Sequence, residues 1–342
     1  MHAAAPITTD VVLVGGGHTH AITLRRLAMV DLSGVQLTLI TNLADTPYSG
    51  MLPCHISGLY GFDESHIDLR PLTRFARCRL LMDRAVGLDS ENQQVICAHH
   101  PPIAYDVLSI DTGSTPATVN VPGSQEYAIP AKPVPDLLER WRYLIEQVRV
   151  QPDRPWTLVV VGGGVGGVEL TLNMQERLHR LLQDLGRSPD QLTIHLFHRG
   201  DHLAPGRNRW TQKRLEKIFR QQKIQLHLEE DVTAIEAAAD GQHYFVRSST
   251  GRVVSCDRVF WVTTASAPDW PREAGIATTD QGFIAVRDTL QTCSHDNIFA
   301  VGDVATMVNH PRPKAGVFAV RQGKPLFKNL LHYLQGCLLY TS

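Results

Sequence analysis

Five glycines at fixed distances mark two places in this chain where backbone could close on a phosphate. In VVVGGGVGGVEL (Val159–Leu170), Gly162, Gly164 and Gly167 complete a GxGxxG spacing. In VLVGGGHTHA (Val12–Ala21), Gly15 and Gly17 begin the same spacing, with Gly16 between them, but His20 stands at the third position. In such a strand-to-helix loop the first glycine makes a tight turn, the second lets backbone approach a dinucleotide pyrophosphate, and the third lets the helix pack closely on its strand. The helix N-terminus adds unpaired N–H groups and the positive end of its dipole. With the roles separated, His20 threatens helix packing and leaves phosphate contact to Gly15 and Gly17. Its imidazole must push the helix outward or find a hydrogen-bonded pocket of its own. His18 and His20 form an HTH pair, but no third acidic or cysteine partner stands nearby, so no metal is expected.

The residue that ends the second strand of such a unit ordinarily offers a carboxylate to the adenosine ribose. Here Thr41 and Asn42 take that place in the first unit, able to hydrogen-bond a ribose without charge. In the second unit the strand ends in His198 and Arg199. A guanidinium pairs with the 2′-phosphate that a carboxylate would repel, so NADPH is favoured over NADH. The six cysteines (Cys54, Cys78, Cys97, Cys256, Cys293, Cys337) are scattered with no CxxC, which argues against a disulfide scaffold or a structural metal.

Elements of the right kind flank both loops. An apolar run (VVLV), the first glycine loop, a helix (AITLRRLAMV) and the β-branched run VQLTLIT ending at Thr41 make a βαβ unit, which requires a parallel sheet. The unit recurs as TLVVV, the second loop, a long helix through Leu185 and QLTIHLFHR. Between the copies PVPDLLERWRYLIEQVRV (Pro133–Val150) reads as a connecting helix, and the proline run IPAKPVP before it as a hinge. DVTAIEAA, QHYFVRSS and RVVSCDRVFWVTT alternate as antiparallel strands of a meander. The expected architecture is α/β: two nested Rossmann-like dinucleotide-binding domains, parallel sheets plus antiparallel meanders.

Composition agrees with a protein that buries a real core: 342 residues, 43% hydrophobic and 20% charged. A net charge of −1 gives no reason to expect nucleic acid or an anionic membrane as partner. RNRWTQKR (Arg207–Arg214) reads as a solvated helix face. The N-terminus lacks a signal-peptide pattern and no apolar run is long enough to span a bilayer, so a cytoplasmic location is expected.

Two further stretches join the loops. YDVLSIDTGSTP (Tyr105–Pro116), followed by VPG, and DNIFAVGDVA (Asp296–Ala305) stand where flavoprotein disulfide-reductase relatives carry YDxLxxATGSxP…PG and xxIFAxGDxA. Over nearly its whole length the chain resembles the FAD-dependent pyridine nucleotide-disulfide oxidoreductase superfamily. GGGHTHA with TPYSGMLP (Thr46–Pro53) and HIDLRPL (His66–Leu72) looks like a narrower group, the oxidoreductase module found N-terminal to selenophosphate synthetase (selenide, water dikinase).

The resemblance implies an FAD domain in two parts, residues 8–119 and 268–335, with an inserted NAD(P)H domain, 120–267. It implies that Gly15, Gly16, Gly17, His18 and Thr19 line the FAD pyrophosphate, with Thr41, Asn42, Thr112 and Gly113 also at FAD. Gly302 and Asp303 match the position that hydrogen-bonds the flavin ribityl and phosphates. Gly162, Gly164, Gly167 and Arg199 would hold NADPH or NADH, Glu169 matches a glutamate on the nicotinamide side of the flavin, and Pro53 and its neighbours lie near the flavin. The implied activity is hydride transfer from NAD(P)H to FAD and on to a small-molecule or small-protein acceptor, with a link to selenium metabolism. The rival is a non-catalytic flavin or nucleotide sensor that docks to selenophosphate synthetase, and a homodimer is a further implied assembly.

Departures limit the transfer. There is no CxxxxC pair, and Cys54 follows Pro53, beyond the single-cysteine position, where this chain has Ser49; it reads as a small packed residue first and as a redox-active catalytic candidate second. GVFAVRQG (Gly316–Gly323) has Val317 and Arg321 where type II NADH dehydrogenases carry the glutamines of AQxAxQ, which weakens a quinone acceptor. The last residues, 336–342, do not continue the pattern and read as a truncated or misread end.

Overall fold

The computed structural model describes residues 6–116, 121–263 and 265–339, so Tyr340–Ser342 of the tail lie outside them. In chain order its main elements begin with β1 (Thr9–Val14), α1 (His18–Leu27), β2 (Val35–Thr41), α2 (Leu52–Ile56), β3 (Arg79–Met82) and β4 (Val107–Ile110). There follow β5 (Ala128–Pro130), α3 (Val134–Val150), β6 (Trp156–Val161), α4 (Val165–Asp184), β7 (Leu192–His198), β8 (Gln225–Leu228) and β9 (Arg258–Trp261). The last are β10 (Ile298–Ala300) and α5 (Gly316–Leu334). The chain forms two compact units, Met1–Gly50 with Phe62–Thr115 and Ala265–Ser342, and Met51–Gly61 with Pro116–Thr264.

The first unit is built on a parallel five-stranded sheet in the order β10-β4-β1-β2-β3. Val11–Val14 are buried on both faces, which is why β1 is an unbroken apolar run and not an alternating one. α1 and α5 pack so closely that a Cβ on Gly323 would lie 2.6 Å from Ile22 Cγ2. Thr19 Oγ1 and Thr23 Oγ1 donate across that contact to the Ala319 and Gly323 carbonyls at 2.8 and 3.2 Å.

The second unit repeats the plan, β5-β9-β6-β7-β8, all parallel. Successive β6 residues point to opposite faces. Leu158 and Val160 join the α3 and α4 core, and Val159 and Val161 join the core beneath a three-stranded antiparallel meander (Val232–Ala237, Tyr244–Ser248, Val253–Cys256). RVVSCDRVFWVTT is therefore two strands, not one. The break is Asp257, whose carboxylate accepts the Thr157 N–H at 2.7 Å and pairs with Arg154. The residues after it, buried on both faces, enter the parallel sheet as β9. A second meander, Ala85–Asp89, Gln94–Cys97 and Ile103–Ala104, was not anticipated; its strands are short and mostly half-exposed, so they lack a strong apolar signature. RNRWTQKR leads into the helix Arg209–Gln221, capped by Asn208 Oδ1, with Trp210 exposed.

Candidate functional site

Each glycine loop joins the central strand of its sheet to the helix that follows. Gly15 and Gly162 have φ of +94° and +122°, and a Cβ on either would lie within 2.4 Å of a neighbouring carbonyl oxygen, that of Asp111 or Val262. Only glycine meets both demands. The third position separates the loops. A Cβ at Gly167 would sit 1.8 Å from Gly162 O, so α4 lies directly on the first glycine's carbonyl. In the first loop His20 fills the corresponding space, fully buried, with Nδ1 2.7 Å from Gly15 O and Nε2 2.8 Å from Ser109 Oγ. A carbonyl only accepts, so Nδ1 carries the proton and Ser109 donates to Nε2. Burial pushes this imidazole down to about 4, against the pull of the Gly15 carbonyl. The imidazole has the hydrogen-bonded pocket that the sequence demanded of it.

The second glycines differ too. At Gly164 the Cβ direction is open space, whereas at Gly17 it is filled by the Asp111 carboxylate, 2.3 Å from Oδ2. Asp111 is 4% exposed, and its Oδ2 accepts the His20 N–H at 3.1 Å. Burial pushes its carboxyl up to about 7; hydrogen bonds from His20 and Thr19 oppose the rise and the Asp303 charge adds to it. Gly302, with φ of +68°, crowds the same group, since a Cβ there would lie 2.4 Å from Asp111 Oδ1; its N–H donates to Gln322 Oε1 at 2.7 Å. Three motifs far apart in sequence thus meet at one carboxyl, a convergence that sequence reading missed. The available signal was slight, a single carboxylate closing the apolar run VLSI.

Other expected residues are placed as follows. Thr19 is fully buried, with its hydroxyl in the α1–α5 contact. Thr41 is buried, and its hydroxyl is engaged in the turn to Leu43, accepting the Leu43 N–H and donating to its carbonyl, which leaves exposed Asn42 as the outward-facing member of the pair. His18, the first residue of α1, rests on the Tyr48 ring with centroids 4.8 Å apart. Its Nε2 is buried without a partner among the described residues. Thr112 is exposed beside Gly113 (φ +70°), and Asp303 follows Gly302 in a short turn. Lys314, also missed from sequence, donates to Ala305 O and to Thr306 Oγ1 and lies over the Phe283 ring; burial pushes it down to about 8, with Asp303 opposing. Lys314, Asp303 and Gly302 line a cavity of about 20 Å³, space for one water.

In the second unit the Gly163 N–H donates to His198 Nδ1 at 3.2 Å, which fixes a neutral ring with its proton on Nε2. Burial, then the Arg199 charge, lower its pKa. Arg199 and Glu169 are exposed, and partial burial raises Glu169 against the pull of Arg207. Pro53 and Cys54 lie on α2, which packs on α4: Ile56 belongs to that core, and its carbonyl accepts the Trp141 Nε1–H at 3.1 Å. All six cysteines are free, and no metal-holding group occurs among the described residues.

Two parallel sheets, each with a glycine loop feeding a helix, one joined by an acidic GD turn, define a two-dinucleotide oxidoreductase. The chain belongs to the pyridine nucleotide-disulphide oxidoreductase family, whose profile matches residues 9–323. Members of this family are NAD(P)H-dependent flavoprotein oxidoreductases with FAD and NADH or NADPH as cofactors, and the chain is an enzyme of that kind. It is 23% identical over 302 residues to the NADH dehydrogenase-like protein YutJ of Bacillus subtilis, covering 88% of this chain and 78% of that protein. It is 27% identical over 205 residues to the demethylphylloquinone reductase NdbB of a Synechocystis species, covering 59% of this chain and 47% of the reductase. Among solved structures it superposes on reduced Bacillus anthracis CoADR-RHD with a TM-score of 0.81 and 21% identity, over 98% of this chain and 59% of that one.

The first unit fits FAD by its own chemistry. The orphaned, buried His18 Nε2 needs a polar partner, and it stands at a glycine-lined helix N-terminus that favours phosphate oxygens. In the second unit the direction of a Cβ at Gly164 is open for at least 4 Å, room that a pyrophosphate would fit.

Proposed function

We propose that the protein oxidises NAD(P)H bound at Gly162, Gly164 and Gly167 and passes the electrons by way of FAD, held at Gly15–His18, Thr112, Gly113, Gly302 and Asp303, to a small acceptor. The observation that carries this reading is one loop-and-helix geometry built twice in one chain, with the helix packed directly on the first glycine's carbonyl in one copy and through His20 in the other. Bound FAD supplies the hydride-accepting chemistry, and the protein's share is binding, orientation and electrostatics. His18 Nε2 orients a phosphate or ribityl oxygen, Asp303 receives ribityl hydroxyls, and Asn42 faces the adenosine. Glu169 and Pro53 orient the nicotinamide. Arg199 pairs with a 2′-phosphate, so NADPH is the preferred donor. Cys54 is half-buried and has no partner cysteine, so the proposed route does not use it.

The acceptor we favour is a quinone, bound without the two glutamines that Val317 and Arg321 replace. Support comes from relatives named as quinone reductases, the Synechocystis enzyme and the type II NADH:quinone oxidoreductase of Staphylococcus haemolyticus. Among the described residues no helix is long and apolar enough to cross a membrane. The HTH-type glycine loop supports a second reading, a selenium or sulfur acceptor and a selenophosphate synthetase partner.

Stopped-flow mixing of the yellow protein with NADPH and with NADH, followed by water-soluble quinones, selenite and polysulfide, tests both readings. Rapid bleaching and reoxidation by quinone are expected; colourless protein after FAD reconstitution, or no bleaching with either donor, would overturn the proposal. Arg199→Ala raises the KM for NADPH about tenfold and leaves that for NADH within about twofold, as loss of one charge-assisted contact requires. An equal effect on both donors would remove Arg199 from the 2′-phosphate.

A further inference from the structure

The fold has been shaped around Asp111: Gly17 and Gly302 both have to be glycine for its carboxyl to fit. The Thr19 and His20 N–H groups at the α1 N-terminus, which would otherwise face an incoming phosphate, already hydrogen-bond to it. Among the described groups facing it there is no cation. From α1 come Thr19 and His20, whose ring is turned to Gly15 and Ser109. From the GD turn comes Asp303, a like charge, and from α5 come the methyl of Ala319 and, one residue removed, Gln322. Lys314 interacts electrostatically with Asp303 while donating to Ala305 O and Thr306 Oγ1.

The inference rests on the reading of the first loop as the FAD seat. We propose that Asp111 is a built-in anion that caps α1 in the apoprotein, and that FAD uptake is coupled to its protonation. A pyrophosphate brings two negative charges to the N-terminus that the carboxylate occupies, and like charges in a buried site disfavour the ionised carboxyl. The proton comes from solvent and ends on the Asp111 carboxyl, which keeps an oxygen on the His20 N–H while losing its charge. Burial holds the pKa of this group at about 7 in the apoprotein, so it is the capping anion, and takes up a full proton, only above that pH.

Isothermal titration of FAD into full-length apoprotein, in buffers of differing ionisation enthalpy, reads the proton directly. At pH 8.5 close to one proton is taken up per FAD, and the Kd weakens about tenfold per pH unit from 7.5 to 9, as one linked proton requires. Asp111→Asn keeps the hydrogen-bond acceptor and abolishes both effects; Asp111→Ala does the same if it folds. Spontaneous flavin release from the holoprotein, followed by fluorescence, accelerates with pH in the wild type and not in Asp111→Asn. Tight binding with no proton uptake and a flat Kd overturns the coupling and leaves the FAD seat intact. A pH slope that survives in Asp111→Asn also overturns it. No FAD binding at any pH from 5 to 9 overturns the underlying reading instead.

Discussion

His20 and Asp111 belong to one hydrogen-bonded knot yet titrate in opposite senses. The folded protein holds His20 at about 4 against an ordinary 6.5, so below pH 6.5 the unfolded chain takes the proton first. Its contribution, about 3 kcal/mol by linkage, is full above pH 6.5 and is lost as pH falls to 4. Asp111 is raised to about 7 from 3.8, so the folded state binds the extra proton, and its contribution declines as pH rises from 4 to 7. In the wild-type apoprotein the two slopes oppose each other. Asp111→Asn removes one of them, so urea midpoints measured from pH 7 to 4.5 fall more steeply in the variant than in the wild type; equal slopes would reject the assignment. His20→Ala leaves Gly15 O and Ser109 without their partner and costs roughly 1–3 kcal/mol in urea unfolding at pH 7.5. The dilemma of His20 was legible because GxGxxG assigns each glycine a task. The role of Asp111 was hidden because its hydrogen-bond partner His20 is 91 residues away and meets it through the register that pairs Val14 with Ile110.

At the scale of elements, the two βαβ units were readable from apolar runs, glycine loops and helical spacing, since strands buried on both faces leave a continuous signal. The meander boundary at Asp257 was not, because what turns the chain there is an ion pair with Arg154 and a backbone bond to Thr157, neither visible as periodicity. The likeness of the loops also hid their difference in packing. Gly167→Ala would place a methyl 1.8 Å from Gly162 O and has to push α4 off β6, a strain of about 1–3 kcal/mol. We expect NAD(P)H-driven flavin reduction to slow at least tenfold while the flavin absorption spectrum is unchanged. Loss of flavin, or an undisturbed reduction rate, would contradict the assignment of the second loop to NAD(P)H.

For the whole molecule, each unit has its own buried cores, the first around Val11–Val14 and the second on both faces of β6. Saturating ligand stabilises the unit that binds it, by about 2.7 kcal/mol at a hundredfold excess over Kd. Calorimetry of the apoprotein should therefore resolve two transitions, with FAD raising one and NADPH the other. One transition that both ligands raise equally would reject the assignment of one cofactor to each unit.

The two units also differ in when they can be finished. Every strand of the second sheet has been synthesised by Trp261, whereas the first sheet lacks β10 until Ala300 and its α1 face lacks α5 until Leu334. During translation the β4 edge and the buried threonine face of α1 wait for partners that arrive some 190 and 300 residues later. An open strand edge invites wrong pairing. The nascent chain thus has its second unit assembled first and is most vulnerable to aggregation in its first, where slowed elongation between Trp261 and Leu334 would prolong the exposure.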